Sequence, residues 1–131
     1  MHNKELAEKY VNFTDSARKI ANELWPGPLT LVLPRREDSD LSLLVSAGLD
    51  TVAIRVPSHP TANALLSSFG GPIAAPSANA SGSVSPTTAE HVIESLEGLT
   101  DIIIDDGPCR IGLESTVIDL TRNSPSLLRH G

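Results

Sequence analysis

Apolar residues recur every three or four positions in some stretches of the chain and alternate in others. Ala17, Ile20, Ala21 and Leu24 stand at i, i+3, i+4 and i+7, which predicts a helix over 14–25 capped by Thr14 or Asp15. Pro26-Gly27-Pro28 ends it, because proline cannot donate to the helix ladder and restricts the residue before it. Leu29 to Leu33 reads as a short strand, followed by a charged loop from Pro34 to Asp40. Thr51 to Val56 reads as another, with Val52, Ile54 and Val56 on one face and Ala53 and Arg55 on the other. Ala62, Leu65, Leu66 and Phe69 return to helical spacing, and Gly70-Gly71 stops that helix.

Pro72 to Pro76 is a short apolar run that reads as a buried strand. A loop of small polar residues follows, Ser77 to Pro86. Thr87 and Glu90 have capping-box spacing, and Ala89, Val92, Ile93 and Leu96 supply an apolar stripe behind them. Ile102-Ile103-Ile104, Ser115 to Leu120 and Leu127 to Arg129 are three more strand candidates. Helices and strands interleave throughout, so the expected class is a layered α/β fold.

The 131 residues suffice for one domain with a real core. Aromatic residues are scarce (Tyr10, Phe13, Trp25 and Phe69), so that core must be built from Leu, Ile, Val and Ala. The same scarcity argues against a single-strand nucleic-acid platform, which stacks bases on rings. Ten basic against sixteen acidic side chains give a formal charge of −6, the wrong balance for a non-specific polyanion binder. A local cationic pocket is compatible with that total. The one cysteine, Cys109, excludes an intrachain disulfide and a Cys-cluster zinc site. No apolar run approaches a membrane span, and the polar start, Met1 to Tyr10, does not read as a secretory signal. A reducing cytoplasmic setting is the expectation.

Candidate chemistry concentrates in Pro76-Ser77-Ala78-Asn79-Ala80-Ser81-Gly82 and its continuation Ser83-Val84-Ser85-Pro86-Thr87. Small side chains there let a ligand approach the backbone, and hydroxyls and N–H groups at a helix start hold phosphate oxygens. An ordinary loop has the same composition, so the segment alone leaves both readings open. Arg55 sits within a strand, where it either covers the surface with its stem or offers a guanidinium fork to a carboxylate or phosphate. Ser115 and Thr116 open a strand as a hydroxyl pair, and Arg129 lies near the C-terminus as a phosphate contact or a solvated tail residue. There is no P-loop, no GxSxG elbow and no HExxH spacing, so those chemistries have no sequence support.

Taken in order, the segments form a series. Trp25-Pro26-Gly27-Pro28-Leu29-Thr30 comes first, then Thr51-Val52-Ala53-Ile54-Arg55-Val56-Pro57, then Ala75-Pro76-Ser77-Ala78-Asn79 with Ser81-Gly82 and Ser85-Pro86-Thr87. Glu114-Ser115-Thr116-Val117 and Leu128-Arg129 complete it. This series, from about Trp25 to Arg129, resembles the YrdC-like family of threonylcarbamoyl-AMP synthases. The resemblance implies a twisted mixed sheet with flanking helices around a concave cleft, and one partial YrdC-like domain over residues 1–131.

It implies an enzyme that uses ATP, as its magnesium complex and without a protein-ligated metal, with L-threonine and bicarbonate. The products would be L-threonylcarbamoyladenylate and diphosphate, the adenylate serving N6-threonylcarbamoyl modification of adenosine 37 in tRNA. Partners would be those substrates and the tRNA-modifying machinery, and not a membrane. By position, Thr51, Ser77, Ser85 and Arg129 match ATP-binding residues of the family. Arg55, Ala75 and Ser115 match L-threonine-binding residues, and Asn79 is a further candidate in the same string. Family members carry, before the first helix, a Pro-Thr-(Glu/Asp)-Thr-x-Tyr-Gly-Leu string and a Lys-x-Arg pair. Neither occurs here, where the lysines are Lys4, Lys9 and Lys19. The expectation is therefore a domain lacking its N-terminal part, and the alternative function is a non-catalytic nucleotide- or RNA-binding remnant.

Overall fold

The structure is a computed structural model that describes residues 1–110 and 114–131. The chain forms two compact units, one of Met1–Ile73 with Glu114–Gly131 and the other of Ala74–Leu113.

In the first unit, α1 (Lys4–Ala7) is capped by the Asn3 side chain and α2 (Asp15–Leu24) by Thr14, whose hydroxyl accepts from the Ala17 N–H. Strands β1 (Leu29–Pro34) and β2 (Thr51–Arg55) follow, joined through a 3-10 turn at Leu43–Ser46. Helix α3 (Pro60–Phe69) ends on Gly70, whose φ of 76° is the left-handed cap that glycine adopts without a Cβ penalty. Strands β3 (Thr116–Asp119) and β4 (Ser126–Arg129) close the unit.

The sheet order is β2-β1-β3-β4, with β1 antiparallel to β2, parallel to β3, and β3 antiparallel to β4. The mixed sheet expected from the resemblance is thus present. Pleating gives the sheet two faces. Leu29, Leu31 and Leu33 of β1 and Val52 and Ile54 of β2 point into a core shared with Ala17, Ala21 and Trp25. Leu24, at the end of the expected helical stripe, is 53% exposed, because Ala17 and Ala21 already fill the contact line with small side chains. The Trp25 indole N–H donates to the Leu29 carbonyl at 2.8 Å, and Phe13 meets the ring edge-on. One polar bond therefore satisfies the indole while its rings stay buried.

The strand β3 ends in a local turn at Asp119, whose carboxylate accepts from the Thr121 N–H at 2.8 Å and from the Thr121 hydroxyl. Both bonds favour the charged form, and the Thr121 hydroxyl is the larger influence holding the carboxyl below its ordinary value of 3.8. A lowered carboxyl value stabilises the fold above pH 3.8 and loses that contribution as pH falls through the folded-state value. Replacing Thr121 by Val is expected to move the Asp119 carboxyl back up. Titration by carboxyl NMR reads this, and an unmoved Asp119 would assign the shift elsewhere.

In the second unit, α4 (Ala89–Leu96) is capped by Thr88, which accepts from the His91 N–H at 3.2 Å. The capping-box expectation placed that role one residue early. Thr87 instead lends its own N–H to His91 Nδ1 at 3.2 Å. Two further expectations fail: neither Pro72 to Pro76 nor Ile102 to Ile104 is a strand. Ile102 is 81% exposed and Ile104 60%. A strand requires a paired edge for its backbone groups, and among the described residues neither run has one.

Candidate functional site

The side of the sheet opposite the core carries candidate residues of the first unit, Arg55 and Arg129 among them. Registry fixes a row across all four strands: Arg55 pairs with Thr30, Thr30 with Val117, and Val117 with Arg129. At about 4.8 Å per strand, the two arginine Cα atoms stand roughly 14 Å apart at the ends of that row. The ladder shifts register between Val117 and Ile118, a bulge that re-aims the end of β4.

Each arginine is tethered by Nε to a backbone carbonyl. Arg55 Nε donates to Gly27 O at 3.1 Å, and Arg129 Nε to Ser115 O at 2.9 Å. Arg129 Nη2 also donates to the Ser115 hydroxyl at 3.1 Å. Both carbonyls are themselves well placed. Gly27 N–H donates to Val56 O at 2.8 Å, and Thr116 N–H to Pro28 O at 3.0 Å, which ties the Pro-Gly-Pro turn to β2 and β3. Gly27 must be glycine, since a Cβ there would lie 2.5 Å from the Leu24 carbonyl oxygen.

A guanidinium has five N–H donors. The tether on Arg55 uses Nε, and the two Nη groups of a guanidinium form the fork that grips a carboxylate bidentately. Ser115 is buried, at 6% exposure, with its hydroxyl 2.7 Å from that of Thr30. Thr51 opens β2 opposite Pro34 and is half-buried, on the same face as Arg55. The first unit thus places Thr51, Arg55 and Arg129 on one sheet, with Ser115 immediately before its strand β3. It also adds Thr30, which the sequence reading had treated only as part of a motif. The alternation of β1 could have found it, since Thr30 and Val32 fall on the face opposite Leu29, Leu31 and Leu33.

The other candidates belong to the second unit. Ala75 and Ser77 are exposed in its opening segment. Asn79 is committed locally: its amide nitrogen donates to Ala80 O at 2.8 Å and Ser83 O at 2.9 Å. With Ala80 N–H donating to the Ser95 hydroxyl at 2.7 Å, this folds the loop onto α4. Ser85 lines a solvent-open hollow of about 480 Å³, together with Ser83, Thr87, His91, Glu94 and Ser95. His91 Nδ1 accepts from Thr87, so the neutral ring carries its hydrogen on Nε2. Its hydroxyls stand beside the apolar Val84 and Pro86, and Glu94 is its carboxylate. Among the described residues, no group of three His, Cys, Asp or Glu is arranged to hold a metal ion. Nor is any helix among them long and apolar enough to cross a membrane.

Comparison with known proteins places these features in a family. The family model Sua5/YciO/YrdC, described as "Telomere recombination", matches residues 1–131. A threonylcarbamoyl-AMP synthase of Pyrococcus abyssi is 53% identical over 117 residues, 89% of this chain and 34% of that protein. One from Schizosaccharomyces pombe is 45% identical over 114 residues, 86% of this chain and 28% of the relative. The chain therefore spans about a third of the length of these relatives. Among solved structures, P. abyssi Sua5 complexed with L-threonine superposes with a TM-score of 0.93 at 48% identity, covering 98% of this chain and 38% of that one. E. coli YciO superposes with a TM-score of 0.88 at 29% identity, covering 100% and 63%. The match over the whole chain, with a mixed sheet and flanking helices that superpose on Sua5, shows that the chain belongs to the Sua5/YciO/YrdC family.

Proposed function

We propose that this chain acts in the synthesis of L-threonylcarbamoyladenylate from L-threonine, bicarbonate and ATP, as a nucleotidyltransferase of the cytoplasm. The observation that carries the reading is the cross-sheet row, with a tethered guanidinium at each end and hydroxyls between. Relatives named threonylcarbamoyl-AMP synthase, and a Sua5 structure containing L-threonine, support the choice of substrate.

In this reading the Arg55 fork takes the threonine carboxylate, Ser115 offers its hydroxyl to the same amino acid, and Ala75 offers backbone groups beside a small side chain. Arg129 neutralises part of the triphosphate. Thr51, Ser77 and Ser85 supply hydroxyls to ATP without adding charge. Asn79 serves as the clamp of its loop. ATP would be taken as its magnesium complex, with the ion supplying charge neutralisation of the triphosphate alongside Arg129. The carbamate formed from threonine and bicarbonate attacks the α-phosphorus, an oxygen–phosphorus bond forms, and diphosphate leaves. No covalent nucleophile is required: rate comes from positioning and from charge stabilisation at the transferring phosphorus. The adenylate then supplies threonylcarbamoyl modification of adenosine 37 in tRNA.

Incubation with ATP, L-threonine and bicarbonate is expected to release diphosphate in a threonine-dependent manner. Absence of release above background defeats turnover by this chain. Thermal stabilisation by ATP or threonine without release would instead identify a ligand-binding remnant. Salt-sensitive binding of tRNA would extend that remnant reading to RNA.

A further inference from the structure

Outside the groups already assigned a ligand, Thr30 is the side chain whose contacts reach furthest into the row. We infer that Thr30 is a positioning residue: its hydroxyl orients Ser115, and Ser115 in turn holds the Arg129 guanidinium in the direction from which it meets phosphate. The inference rests on the proposed ATP site and adds to it the group that aims its cation.

The chain of contacts is short and continuous. Thr30 Oγ1 and Ser115 Oγ are 2.7 Å apart, and Arg129 Nη2 donates to that same Ser115 oxygen at 3.1 Å. Arg129 Nε uses the Ser115 carbonyl at 2.9 Å. Ser115 therefore receives both tethers of the arginine, and Thr30 is the side chain that fixes which way its hydroxyl oxygen faces. Two of the five guanidinium hydrogens are spent on Ser115, leaving three for an anion. The backbone supports this placement. Thr30 faces Val117 across the parallel ladder, and Val117 faces Arg129 across the antiparallel one. Arg129 sits on an edge strand whose four residues are all exposed, so its side chain has little packing to hold it. A hydroxyl pair from β1 and from the residue just before β3 supplies the rigidity that the edge lacks. Threonine suits the position because its branched Cβ restricts χ1 in a strand.

Three proteins test the inference: the unaltered chain, Thr30→Val, which keeps the branch and removes the hydroxyl, and Thr30→Ser, which keeps the hydroxyl. ATP titrated by calorimetry is expected to bind Thr30→Val about 3- to 10-fold more weakly, the loss of roughly one hydrogen bond. Thr30→Ser should recover to within about twofold, and the thermal midpoints of the three should agree. Equal ATP affinity in all three overturns the inference. So does a weakening of Thr30→Val that tracks a lowered midpoint and is not rescued by Ser, since that is structural damage. If the unaltered chain itself binds no ATP, the ATP-site reading fails, and the free proteins still decide the positioning role. Hydrogen exchange at the Arg129 Nη groups should then be several-fold faster in Thr30→Val than in the other two. Equal rates overturn the inference independently of any ligand.

Discussion

Arg55→Ala is expected to weaken L-threonine binding by about 10- to 100-fold while leaving the fold intact. The loss corresponds to about one charge-assisted hydrogen bond to a carboxylate, worth about 1.5–3 kcal/mol. The fold should survive because Arg55 is exposed at the end of β2, where its side chain bonds to Gly27 O. Removing it should cost less than about 1 kcal/mol, as for exposed positions generally. Arg55→Lys separates charge from geometry. Lysine keeps the cation but has neither the fork nor the Nε that anchors it to the Pro-Gly-Pro turn, so it should recover only a fraction of the affinity. Calorimetry with threonine, paired with urea unfolding, reads both quantities. A stability loss as large as the binding loss would make Arg55 a packing residue, and the carboxylate site would have to be sought elsewhere.

The second large effect concerns Leu31→Ala. Leu31 is fully buried in β1, a strand paired on both sides, and lies across from Ile54 and Ile118. Truncating it removes transfer free energy and leaves a cavity beneath α2, at a cost of about 2–5 kcal/mol. Total stabilities are about 5–15 kcal/mol, so this is a large fraction of what holds the unit together. Leu44→Ala is the control: Leu44 is 90% exposed, and its loss should fall within about 0.5 kcal/mol. Trp25 is the only tryptophan of the chain and lies in the same core, so its fluorescence reports unfolding of this unit directly. Equal midpoints in urea for the two variants would remove the core assignment.

Elements with a strong local signature were legible in the sequence. The Ala17–Ala21 spacing, the Thr14 cap, the Gly70 stop and the alternation of Val52 and Ile54 each state their structure within a few residues. Helix α1 escaped notice because four residues cannot show a period, and it depends on the Asn3 cap. The Ile102 to Ile104 run misled for the converse reason: its strand propensity is real, but propensity without a partner does not make a sheet. For the candidate site, the motif series located the residues, whereas their tethers were invisible. Gly27 O and Ser115 O become anchors for Arg55 and Arg129 only after strand registry is known. The alternation of β1 places Thr30 on the face opposite the core, but its partner Ser115, 85 positions away, leaves no local mark in the sequence.

The parallel ladder between β1 and β3 has a consequence for how the protein is made. During synthesis the β1–β2 hairpin and α2 emerge early, but the other edge of β1 stays bare until Thr116–Asp119 leaves the ribosome. A bare edge beside Leu31 and Leu33 is an invitation to intermolecular pairing. The nascent chain should therefore be most vulnerable to aggregation while Ala74–Leu113 is being translated, and a holding chaperone should bind it in that interval and release it once the final two strands are available.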